Sequence, residues 1–183
     1  MNVITRSLPV LLFVCSFLLT QAQTNTGAIV LRVESAVAQP GEQVCVTVSG
    51  TGLADVIGMQ YSVIWDPAVL SLDEVTDLGL PRLSQNDFGF ALQDQGALTF
   101  AYLAPIGEVL PDSVDLFTLC FEAVGAAGAA SPVTLSNQPT AVEFVAEIEN
   151  VADVVRNYTL LGGHVAISAT PQEAPPFRIE MDV

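Results

Sequence analysis

The sequence predicts an all-β fold, an antiparallel sandwich or jelly roll, on three observations. Apolar residues recur with period two along most of the chain, while helical i, i+3, i+4 spacing is scarce. The alternating runs are short and are separated by Gly, Pro, Asn and Asp, the residues that turns require. Hydrophobic residues make up 51% of the chain, enough to fill a core between two sheets.

The first segment stands apart from this pattern. Arg6 precedes an apolar run from Leu8 to Leu19, and Thr20-Gln21-Ala22 supplies small residues at a cleavage spacing. Residues 1–22 therefore read as a secretory signal peptide. The run falls short of the roughly 20 residues that span a bilayer, and no second run follows, so membrane insertion is not expected. Cys15 lies inside the leader without the small residues of a lipoprotein signal, and is lost on export. The expected location is secreted, extracellular or on the cell surface.

The strands follow in order. Ile29, Leu31 and Val33 alternate with Val30, Arg32 and Glu34, and "AQPGEQ" then makes a Pro-Gly turn. Val44, Val46 and Val48 alternate with Cys45 and Thr47 before the loop "SGTGLAD". Ile57, Met59, Tyr61, Val63 and Trp65 share one face of the next strand, with Gly58, Gln60 and Ser62 on the other. Trp65 is thus a core residue. Pro67 ends the ladder, and Asp66 can accept free backbone N–H groups in the tight turn "DPAVL". Further strands are expected near 70–76, 88–92, 97–103, 114–123, 132–136, 141–148 and 163–168. "VGAAGAAS" is a loop of small residues, and the Pro-rich stretch 169–183 a flexible tail. One domain over 26–168, without internal repeats, accounts for the rest, and no sorting domain, anchor or second module is evident.

Charge narrows the partners. All 20 acidic residues follow the leader, against Arg32, Arg82, Arg156 and Arg178 and no lysine. Nucleic acid and anionic membranes are poor partners for such a surface.

Catalytic chemistry is hard to find, and the chain is not expected to be an enzyme or to need a cofactor or metal. The single histidine, His164, sits beside Gly162 and Gly163 in a strand and reads as structural. No Gly-x-Ser-x-Gly, phosphate loop or calcium loop occurs. Asp73, Glu74 and Asp77 cluster as a solvated face would. Asn157-Tyr158-Thr159 matches a glycosylation acceptor. Carbohydrate binding needs exposed flat aromatics, and Trp65 is on the wrong face, while Tyr158 and Phe177 lie in less regular segments.

Cys45 shares its face with Gln43 and Thr47, and Cys120 with Thr118 and Glu122, while Phe117, Leu119 and Phe121 point the other way. Both thiols are therefore on a polar face. If their strands are antiparallel neighbours, a disulfide can form with Cα atoms about 5–6 Å apart. The alternative is two separate thiols.

The ordered segments resemble the cohesin domain of cellulosome scaffolds. The matching pieces are Pro40-Gly41, the run Tyr61-x-Val63-x-Trp65-Asp66-Pro67-x-Val69-Leu70, Gly96 to Leu103, Leu116 to Phe121, and Gly163 to Ile167. The resemblance covers nearly all of 28–168. It implies a nine-stranded antiparallel jelly-roll β-sandwich with family strand orders 8-3-6-5 and 9-1-2-7-4. Family strands 2 and 7, which carry Cys45 and Cys120, would then be neighbours. It also implies a noncatalytic module that binds dockerins, small helical calcium-binding modules on carbohydrate-active enzymes, with the calcium on the partner. The docking surface would be the outer side of the 8-3-6-5 sheet. Carried over by position, this gives Gly58, Gln60 and Ser62 on strand 3, Phe90 and Leu92 on strand 5, and Thr99, Ala101 and Leu103 on strand 6. The Asn/Asp-type pair that family members carry on strand 3 is missing, which implies a different specificity or another partner. Two other readings of the same sandwich are a carbohydrate-binding module that takes polysaccharide directly and a structural domain of a surface assembly.

Overall fold

The computed structural model describes residues 28–169 apart from Gly107, residues 149–150 and Arg156. The expected leader and nearly all of the expected tail lie outside the described residues.

Two sheets pack face to face, as expected. The first has the order β12-β1-β3-β8-β5, built from Tyr158–Leu161, Ile29–Val33, Gln43–Thr51, Ser113–Ala123 and Leu70–Thr76. The second runs β11-β10-β4-β9-β13-β2, built from Val151–Val154, Glu143–Ile148, Val56–Ile64, Ala130–Ser136, Gly163–Ile167 and Ala36–Ala38. On the other edge of β4 lies β7 (Ala97–Leu103), and β6 (Phe88–Gly89) pairs β7. Counting β9 and β10 as one family strand, and β12 and β13 as another, both orders implied by the resemblance are present.

The described residues form thirteen strand segments where nine were implied. The extra segments come from interruptions. The first strand breaks after Val33 and crosses from one sheet to the other as β2, and the last breaks at Gly162 and crosses likewise. Their close approach explains Gly163, where any Cβ would collide with the Glu34 carbonyl oxygen. These two crossing strands lie side by side and run parallel, β1 with β12 and β2 with β13, an exception to antiparallel pairing. β2, β11 and β12 had no alternating signal, and all four residues of β11 are exposed.

The expected strand 88–92 is cut to Phe88–Gly89. Gln93–Gln95 instead forms a 3-10 turn that Gly96 closes with φ of 74°. Gly96 is required twice, since a Cβ there would also strike the Trp65 carbonyl.

Alternation fills the space between the sheets. Tyr61, Phe88, Phe100 and Phe117 form a continuous aromatic cluster, with ring centroids 4.9–5.1 Å apart along the chain of contacts. Trp65 is buried and meets Phe121 edge-on at 5.3 Å. The turn after it is held by Asp66, whose Oδ1 accepts the Ala68 N–H at 2.9 Å and whose carbonyl accepts the Leu70 N–H at 2.9 Å. Trp65-Asp66-Pro67 is thus a strand terminus with the Asp supplying the cap.

Cys45 and Cys120 are directly opposite on β3 and β8 and form a disulfide. Their Cα atoms are 4.0 Å apart, closer than the 5–6 Å expected. The bridge lies on the outer face, as the pattern indicated, near the Thr47–Thr118 hydroxyl pair.

Two outcomes follow. The bridge closes a 75-residue separation, and constraining so long a loop stabilises a domain by about 2–4 kcal/mol. Replacing both cysteines by serine should lower the urea unfolding free energy by that amount, and an unchanged midpoint would contradict a bridge that restrains the unfolded chain. Tyr61 is fully buried and its hydroxyl has no hydrogen-bond partner among the described residues. Burial also pushes its pKa well up from 10.0. A raised pKa gives stability that is intact below the unfolded-state value near 10 and lost as pH rises above it. Tyr61→Phe should therefore keep or slightly raise stability at pH 7 and blunt the alkaline loss, both read by thermal unfolding across pH.

Candidate functional site

The outer face of the second sheet is set by β4 and β7. Their antiparallel register pairs Gly58 with Leu103, Gln60 with Ala101 and Ser62 with Thr99. Because side chains alternate, the partners on the other side are Met59, Tyr61 and Val63, all in the core. β10 widens the face by pairing Val145 with Gly58 and Glu143 with Gln60. Two rows result, Val145–Gly58–Leu103 and Glu143–Gln60–Ala101.

The row expected next to them is closed at its Ser62 end. Ser62 is 0% exposed. Its hydroxyl accepts the Thr140 N–H at 2.9 Å, which pins the connection between β9 and β10 over it. Thr99 is half-buried and leans its hydroxyl over Gly89, its neighbour on β6, where a Cβ would run into it. Phe90 does not join the outer face. Its ring lies 6.3 Å from that of Phe88 and packs against the core. Leu92 caps the 3-10 turn, outside any strand. Of the eight positions carried over from the resemblance, the structure brings Gly58, Gln60, Ala101 and Leu103 together on one open surface.

That surface is a shallow hollow of about 320 Å³, with Gly58 at its floor and Leu103 and Val145 among its lining residues. A Cβ on Gly58 would make ordinary contact with Leu103 at 3.5 Å and Val145 at 3.9 Å, so the glycine leaves depth for a visiting side chain. Ala101 is exposed, and Leu103 is 76% exposed. Asp87 and Glu143 are the charged lining residues, and none is basic. Tyr102, beneath, donates its hydroxyl to the Pro81 carbonyl at 3.0 Å. Burial, with Asp87 and Glu108 nearby, raises its pKa from 10.0.

Sequence reasoning missed Val145 and Glu143, because site positions were carried over only onto strands 3, 5 and 6 and the expected strand 141–148 was not assigned as the neighbour of strand 3. It also placed Ile57 in the core. A bulge between Val145 and Ala146 moves the register so that Ala146 faces Val56, which is buried, while Ile57 is only half-buried. Gly58, a glycine inside the strand, is the one residue in "ADVIGM" that could have signalled the bulge.

The other candidates lie elsewhere. His164 is exposed on β13 and its Nδ1 is 3.0 Å from the Ser35 hydroxyl, which also accepts the His164 N–H at 3.1 Å. Asp73 accepts a hydrogen bond from Gln43 Nε2 at 2.8 Å on the opposite sheet. Among the described residues, no three His, Cys, Asp or Glu side chains are grouped to hold a metal ion.

A family model described as the cohesin domain matches residues 29–157. No curated protein matches the chain. Solved structures are similar to it at low identity. The third cohesin of ScaC from Acetivibrio cellulolyticus, solved in complex with the ScaB dockerin, is 16% identical with a TM-score of 0.64, covering 77% of this chain and 99% of that one. The seventh ScaB type I cohesin of Pseudobacteroides cellulosolvens is 14% identical with a TM-score of 0.62, covering 81% and 99%. A non-cellulosomal cohesin from the archaeon Archaeoglobus fulgidus is 18% identical with a TM-score of 0.59, covering 78% and 93%.

The buried position of Ser62 generates a prediction. Ser62→Arg should destabilise the fold by more than about 2 kcal/mol, because it strips a buried hydrogen bond and forces a charge under the Thr140 loop. Gln60→Arg, on the open row, should leave the melting temperature within about 2 °C. Equal melting temperatures for the two variants would contradict the closed row.

Proposed function

The chain belongs to the cohesin domain family, and on that premise we propose that it is a secreted, noncatalytic module that holds a dockerin-type helical partner on the open rows of β4, β7 and β10. The partner would carry the calcium and be attached to a carbohydrate-active enzyme, which places the module in polysaccharide breakdown or cell-surface assembly. Export rests on the leader-like residues 1–22.

One observation carries the reading. The sheet that matches the family's docking sheet keeps a flat outer surface, with Ala101 and Leu103 exposed and Gln60 and Val145 half-buried beside them. Small residues let another backbone approach closely, and apolar ones reward burial. The absence of an Asn/Asp-type pair beside Gly58 and Gln60 points to a specificity different from that of family members that carry one.

Direct sugar binding gains little support. Trp65 and Tyr61 face the core, and Tyr158, the most exposed aromatic among the described residues, lies 5.2 Å from Phe144, against which its ring packs.

The test is binding of purified dockerin modules by calorimetry, in calcium and then in chelator. Binding should require calcium. Ala101→Arg should weaken it at least tenfold while circular dichroism and melting temperature stay unchanged, since a large charge cannot pack into a flat interface. Undiminished binding by folded Ala101→Arg would show that another face is used.

A further inference from the structure

Leu103 is more than the end of the open row. It also lines a second, deeper cleft of about 560 Å³ beyond the end of the sheet. Ile57 and Ala104 line it with Leu103, and Asp55, Glu108 and Glu147 are its charged residues. Two sides of it are fixed by backbone bonds. The Ala104 N–H donates to the Ile57 carbonyl at 2.8 Å, and the Glu147 N–H to the Asp55 carbonyl at 2.9 Å. The β4 bulge is what delivers Ile57 here. Ile106 and Val109 also line it and are fully or largely exposed.

Exposed apolar groups rimmed by charge mark interaction sites more often than inert surface. Here the rim has one sign. The hollow over Gly58 carries Asp87 and Glu143, the cleft carries three further acids, and neither is lined by a basic residue. The two depressions share Leu103 as a lining residue, so one partner can fill both.

We infer that this surface is a two-seat site for a cationic amphipathic helix, one aliphatic side chain entering over Gly58 and a second entering the cleft between Ile57 and Leu103, with flanking Lys or Arg meeting Glu143, Asp55 and Glu147. The inference rests on the docking reading above and adds the partner's chemistry. A helix bearing acidic flanks would be repelled by the same rim.

The probe is a helical peptide of alanine, arginine and two leucines one turn apart, titrated into the isotope-labelled protein at about physiological salt, where surface fields reach only about 8 Å. Amide shifts should saturate and cluster at Ile57, Leu103, Ala104 and Val145. The same peptide with glutamate for arginine should give none. Leu103→Asp should weaken binding at least tenfold, and Glu147→Lys with Asp55→Lys should reverse the preference between the two peptides. Both changes are at exposed positions, and an unchanged melting temperature certifies the fold. Shifts scattered over the Gln43–Asp73 face, or equal affinity for Leu103→Asp, would overturn the inference. Dockerin binding that survives Leu103→Asp but not Ala101→Arg would overturn it alone. Binding indifferent to Ala101→Arg would overturn the docking reading, and the inference with it.

Discussion

The pairing of β4 is the constraint on which the rest of the molecule depends. One nine-residue strand holds β7 along one edge and both β9 and β10 along the other. A strand paired on both edges has no free ladder to offer, so its two faces carry all its remaining chemistry. The inner face supplies Met59, Tyr61 and Val63 to the core and runs on to Trp65. The outer face is left with Gly58, Gln60 and Ser62, with no large apolar side chain among them. The same pairing therefore fixes the aromatic core and leaves a flat surface outside.

Asymmetry within that strand decides which part of the surface is open. At the β9 end, Ser62 is spent on holding Thr140. At the β10 end, the bulge opposite Val145 swings Ile57 outward. A uniform ladder would have exposed a uniform stripe. The closed end and the bulged end instead concentrate apolar exposure around Leu103, among acidic residues. The opposite sheet has a different character. Its outer face carries the disulfide, the Thr47–Thr118 pair and the Gln43–Asp73 hydrogen bond, polar groups engaged with one another.

Local pattern made some of this legible and not the rest. β5 and β7 have the bounds that alternation indicates, because each has one buried and one wetter face. The Cys45–Cys120 neighbourhood was readable for the same reason, since both thiols sit on polar faces of apolar strands. β11 and β12 were not readable. β11 is exposed throughout and so shows no period, and β12 is an edge strand. Phe88-Gly89-Phe90 looked like a longer strand because its apolar residues alternate, yet both rings are needed by the core and the chain turns away at once. At the candidate site, the outward direction of Ser62 was right and its availability was not. Burial of a short polar side chain under a distant loop leaves no trace in its own neighbours. Gly58 hints at the bulge beside it, but its position at Ile57 depends on the register of a strand some ninety residues away.

The central claim is that a partner lands on the outer side of β4, β7 and β10, and hydrogen exchange by mass spectrometry tests it most directly. The chain would be compared free and saturated with a dockerin module that it binds. Slowed exchange should be confined to the segments 56–62, 97–105 and 143–147. Slowed exchange over 43–49 and 118–123, with the β4 and β7 segments unchanged, would contradict the account.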